Sequence, residues 1–97
     1  MTTRMNLDHF ENLNKGILEG CGRVRSLQDE LHSMHNELQK NEEEFRKGKL
    51  PRDSYRSNGR HFTKERRRLE REINREVRNS VRLVAQARKV VREQKLA

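Results

Sequence analysis

The sequence predicts an all-α fold, a long antiparallel two-helix coiled-coil hairpin. Two apolar stripes recur at near-heptad spacing, one in each half of the chain. Between them lies "FRKGKLPRDSY", a segment that stops one helix and starts another. The stripes also match layer for layer when the chain is folded back at that segment. Ninety-seven residues make one domain at most. The hairpin is expected to span 1–97, with helix 1 at about 5–47, a turn at 48–52 and helix 2 at about 53–95. Hydrophobic residues are 30% and charged residues 39% of the chain, too little apolar area for a compact globular core. A disordered chain of that composition would show no apolar period, so periodicity decides for helix.

In helix 1 the stripe runs Phe10, Ile17, Val24, Leu31, Leu38 and Phe45, each seven residues from the last. Leu13, Gly20, Leu27 and Met34 follow three residues behind the first four. Such spacing makes a narrow seam on one face of a long helix. Gly16, Gly20 and Gly22 interrupt it, each at about 1 kcal/mol relative to alanine in a helix interior. They mark either a locally weak helix or a close approach by another backbone.

Gly48 suits the left-handed residue that ends a helix, and Arg46 and Lys47 favour the preceding C-terminus electrostatically. Pro51 fits only the first turn of a following helix, with Asp53 and Ser54 adding early-turn chemistry. Helix 2 then shows Tyr55, Phe62 and Leu69, followed by Ile73, Val77, Val81, Val84 and Val91. That longer mean step predicts a seam drifting from 3.5 towards 3.6 residues per turn. A turn this short favours antiparallel neighbours, and facing residues should then have a constant index total. Phe45 with Tyr55, Leu38 with Phe62 and Leu31 with Leu69 total 100; Val24 with Val77, Ile17 with Val84 and Phe10 with Val91 total 101.

Towards the chain ends the apolar stripe widens. Helix 1 adds Leu7, Leu18 and Cys21, and helix 2 adds Leu83, Ala87 and Val90. A single seam cannot bury both stripes, so these six residues are the expected partner-binding set, covered by a second copy or by a different subunit. Gly16, Gly20, Ser80 and Ala87 would let that chain approach closely.

Charge is uneven. Residues 1–50 hold 8 Lys and Arg against 9 Asp and Glu, and residues 51–97 hold 15 against 6. Arg56, Arg60, Lys64, Arg67, Arg71, Arg75, Arg78 and Arg82 recur every three or four residues as one stripe. Arg71 lies two residues past Leu69, about 200° round the helix, so the stripe points away from the seam. It is either a solvated face, partly offset by Glu65, Glu70, Glu72 and Glu76, or a polyanion site from Arg60 to Arg82. Nucleic acid would be held through phosphates in a salt-dependent, sequence-indifferent way. The aromatics are expected in the seam, where they cannot stack on bases. An anionic membrane surface would be held by charge alone, because no bulky apolar residues adjoin the stripe.

The remaining residues offer little chemistry. His32 and His35 do not make a metal site, which needs three or four convergent ligands. Glu42 to Glu44 read as a solvated face near the turn, with Glu42 placed to pair with Arg56. There is no phosphate loop, no catalytic serine motif and no acid–base pair in a pocket, and a two-helix hairpin is expected to leave no ligand-sized cavity. The expectation is a non-enzyme with no cofactor and no small-molecule substrate. No apolar run is long enough to span a bilayer, the first residues lack the apolar block of a signal peptide, and a single cysteine fits a reducing compartment. A cytoplasmic place, free or peripheral at membranes, follows.

The stretch "NEEEFRKGKLPRDSYRSNGRHFTKERRRLE" resembles the hairpins of the ESCRT-I core headpiece. Lys47, Gly48, Lys49, Leu50, Asp53 and Tyr55 match its turn, a basic–Gly–basic–apolar run followed by an acidic and an aromatic residue. The resemblance covers about 30 residues, and Pro51 stands where a serine or threonine cap is more usual. It implies a scaffold subunit of a membrane-remodelling or sorting machine whose hairpins pack beside sister subunits. ESCRT-III proteins also begin with a basic helical hairpin and polymerise on membranes, although there the first helix is the markedly basic one.

Overall fold

A computed structural model describes the backbone of residues 2–96 and the side chains of 7–94. It is an all-α helical hairpin of two helices, α1 (Thr2–Arg46) and α2 (Arg52–Leu96). The chain divides into two compact units. A turn unit holds Ser26–Ile73, and a terminal unit joins the residues up to Arg25 with those from Asn74 onward.

In the turn unit, α1 ends because Gly48 adopts φ +72°, a left-handed conformation that a Cβ would oppose. The Lys49 amide donates to the Glu44 carbonyl (2.9 Å) and the Gly48 amide to that of Phe45 (3.0 Å). This is the paired bonding of a Schellman motif, and it satisfies carbonyls that the helix end leaves free. Pro51 sits where its missing N–H costs nothing, and its carbonyl accepts the first bond of α2 from the Tyr55 amide (2.9 Å).

The layer next to the turn is a ring stack. Phe45 and Tyr55 lie 4.1 Å apart at 7°. The next layer is polar. Asn41 is buried in the seam, donates to the Tyr55 carbonyl (3.2 Å) and accepts from the Asn58 side-chain amide (3.2 Å). A polar residue satisfied in this way tolerates burial, whereas left unpaired it would cost about 1–3 kcal/mol. Further from the turn Leu69 is 1% exposed, and Leu31, Leu38 and Phe62 are half-buried. Glu42 is approached by the Tyr55 hydroxyl at 3.5 Å. It forms no ion pair with Arg56, so the expected cross-hairpin pair is replaced by this contact.

The terminal unit packs around Leu13, Ala87 and Val90, with Phe10, Ile17 and Leu83 against them. Here the structure corrects the predicted drift. In α2 the seam keeps a strict seven-residue repeat through Leu69, Glu76, Leu83 and Val90, and the index total stays near 100. Val77 and Val81 consequently point outward and are exposed. Glu76 and Ser80 take the inner positions instead. A hydrophobicity-guided reading passes over both because they are polar. The physical reason lies in α1. A Cβ on Gly20 would come within 2.6 Å of Ser80 Oγ, so only a glycine and a small residue fit that layer. Arg23 supplies a counter-charge to Glu76 at 3.0 Å. The close approach at Gly16 and Gly20 is therefore by Leu83 and Ser80 of the same chain.

Candidate interaction surfaces

The six residues expected to bind a partner separate into two groups. Leu7, Leu18 and Cys21 are exposed, Leu18 at 70%. Leu83, Ala87 and Val90 belong to the internal core of the terminal unit. The apolar excess exists, but on α2 it is carried by Val77, Val81 and Val91 (63% exposed at Val81). The strict seven-residue repeat from Tyr55 locates them, because it places Glu76 in the seam and Val77 beside it.

These exposed residues share one side of the terminal unit. A groove of about 530 Å³ is lined by Phe10, Asn14, Ile17, Val84, Ala87 and Val91, with Arg88 and Arg92 at one edge. Leu7 and Cys21 stand seven residues either side of Asn14, two helical turns away, and so flank the same side. Val77 stands two turns before Val84, while Leu18 and Val81 follow Asn14 and Val77 by four residues. The volume is within the range of small-molecule pockets. The groove is open-sided, however, and its polar lining of Asn14, Arg88 and Arg92 holds no acid–base pair.

In the turn unit the corresponding heptad positions are polar. A groove of about 370 Å³ there is lined by His35, Leu38, Gln39, Glu42, Thr63 and Arg66. His32 and His35 are exposed, and among the described residues no three His, Cys, Asp or Glu side chains converge as a metal site would require. No helix of the described residues is long and apolar enough to cross a membrane.

The arginine stripe is exposed throughout. Arg56, Arg60, Lys64, Arg67 and Arg71 lie on the turn unit and Arg75, Arg78 and Arg82 on the terminal unit, every one exposed. The carboxylates of α2 do not offset it. Glu65 and Glu72 bind Arg68 (3.1 and 2.7 Å), Glu70 lies 3.7 Å from Arg66, and Glu76 pairs with Arg23. Hydrogen bonds from Glu65 and Glu72 raise the Arg68 pKa above its already high value, which keeps that guanidinium charged. Among the described residues no member of the stripe from Arg60 to Arg82 enters an ion pair. Arg82 donates one hydrogen bond, to Asn79 (2.6 Å). The aromatic rings Phe10, Phe45, Tyr55 and Phe62 are half-buried in the seam. Comparison with protein-family models, with curated proteins and with solved structures found no match to this chain.

Proposed function

We propose that the protein is a non-enzymatic assembly subunit, a helical hairpin that docks other helices on the apolar side of its terminal unit. The observation that carries this reading is the cluster of exposed Leu18, Val77 and Val81 beside an apolar groove. Each such side chain gains about 1.5–3 kcal/mol on full burial, and a contiguous patch of this kind on a small chain marks an interaction site. The turn's similarity to ESCRT-I headpiece hairpins gives the finer version: a scaffold subunit in a membrane-remodelling or sorting complex of the cytoplasm. A photocrosslinking amino acid at Leu18 or Val81 in the native cell tests the reading. A discrete adduct is expected, abolished by Val77→Asp. A crosslinker at exposed Glu30 of the turn unit should give none. Equal or absent adducts at both places would remove the assembly reading.

A second reading is favoured by one observation of its own. The stripe's guanidiniums stay exposed and uncompensated while the nearby glutamates serve other arginines. On this reading the chain is a basic accessory protein on nucleic acid. Its affinity should fall steeply with salt and be indifferent to sequence. An ESCRT-III-like polymer on anionic membranes is the variant in which the same charges face lipid. Filter binding to duplex and single-stranded nucleic acid, beside co-sedimentation with anionic vesicles at physiological salt, separates these from the assembly reading. No retention in any arm at any salt would exclude both.

A further inference from the structure

We infer that the occupant of the terminal groove is a single amphipathic α-helix of another protein, apolar on one face and acidic along one edge. This rests on the assembly reading above and names its partner.

The floor of the groove is apolar and comes from both helices, Phe10 and Ile17 on α1 and Val84, Ala87 and Val91 on α2. A third helix laid between two others meets such a floor with residues spaced i, i+3, i+4 and i+7. The exposed Leu18, Val77 and Val81 extend the contact along the unit, enough for a helix of about four turns at 1.5 Å per residue. The charged groups lining the groove have one sign. Arg88 and Arg92 stand at the α2 edge, and no carboxylate lines the groove. Arg78 continues this exposed edge beside Val77 and Val81.

The same charges argue against a second copy as the occupant. The terminal unit carries eleven Lys and Arg against five Asp and Glu. Bringing a copy of it onto the groove would set like charges against Arg88 and Arg92, which costs affinity and slows encounter. A partner helix with glutamates or aspartates along the edge facing α2 turns those arginines into attractive contacts.

The experiment uses the whole chain and two labelled synthetic helices with one leucine stripe. In one the flanking positions are glutamate, in the other lysine. Fluorescence anisotropy at physiological salt is expected to show the glutamate helix binding at least tenfold more tightly. Arg88→Glu with Arg92→Glu should reverse that order, and Leu18→Asp should weaken the glutamate helix tenfold or more. Leu18 is exposed, so its replacement leaves the hairpin folded, and circular dichroism checks this for every variant. Equal binding of the two helices, tighter binding of the lysine helix, or no binding of either overturns the inference. Analytical ultracentrifugation of the chain alone tells the failures apart. A concentration-dependent oligomer dispersed by Leu18→Asp with Val81→Asp would assign the groove to a second copy and leave the assembly reading standing. A strict monomer that binds neither helix, with no crosslink at Leu18, would remove both.

Discussion

Gly20 and Gly22 are two residues apart in α1 and should answer the same substitution in opposite ways. A Cβ on Gly22 meets nothing within 4 Å. Gly22→Ala should raise stability by about 1 kcal/mol, through helix propensity and a less flexible unfolded chain. A Cβ on Gly20 lands 2.6 Å from Ser80 Oγ, so Gly20→Ala must push α2 or turn Ser80, at about 1–3 kcal/mol for overpacking. Urea titration of both variants should move the midpoint up for one and down for the other. Adding Ser80→Ala to Gly20→Ala should recover part of the loss. Ser80 Oγ and Glu76 Oε2 are buried with no hydrogen-bond partner in the chain, so this layer is already weak and Ser80→Ala alone should be mild. Leu69, fully buried in the turn unit, is the opposite case. Leu69→Ala should cost about 2–5 kcal/mol, the range for emptying a packed leucine site.

At the scale of the elements, register is the informative quantity. Cysteines at Gly20 and Ser80, in a Cys21→Ser background, should form an intrachain disulfide on mild oxidation, because the two positions are in contact. Cysteines at Val24 and Val77, the pairing that the predicted drift requires, should form one slowly or not at all, since Val77 is exposed. The reverse result would restore the drift. How much of this the sequence reveals follows from which residues mark the seam. Both helices, the left-handed Gly48 and the layers from Phe45 to Leu31 are legible, because Phe45, Leu38, Tyr55, Phe62 and Leu69 are apolar wherever the repeat asks for it. Asn41, Glu76 and Ser80 are not legible by hydrophobicity. Each holds a seam position through a partner on the other helix, Asn58, Arg23 and Gly20 respectively. Partners across a hairpin become visible only once the register is fixed. The candidate surface is where this matters most. Mistaking Val77 for a seam residue consigns Leu83, Ala87 and Val90 to the outside, and the exposed edge is misplaced by one strip of the helix.

At the scale of the molecule, charge and chain order set the behaviour. With a formal net charge of +8, folding gathers like charges, and salt that screens them within about 10 Å at 0.1 M should raise the melting temperature. Replacing Arg67, Arg71, Arg75 and Arg78 with glutamine should leave helicity unchanged, since the two residues have similar propensity. It should also remove most of the salt dependence, as thermal melts with and without added sodium chloride would reveal. A large loss of helicity would mean that the stripe is structural. The constant index total has a kinetic consequence. Phe45 and Tyr55 meet across ten residues of chain, while Leu13 and Ala87 meet across seventy-four. Closing the longer loop directly costs about 2 kcal/mol more in chain entropy, so the layers should zip from Gly48 outward, each shortening the loop left to the next. Amide exchange should then be fastest around Leu13 and Ala87 and slowest around Leu69. The helix that settles beside Val84 would clamp the last layers to close and the first to open. Its arrival should therefore slow unfolding of the chain more than it speeds folding.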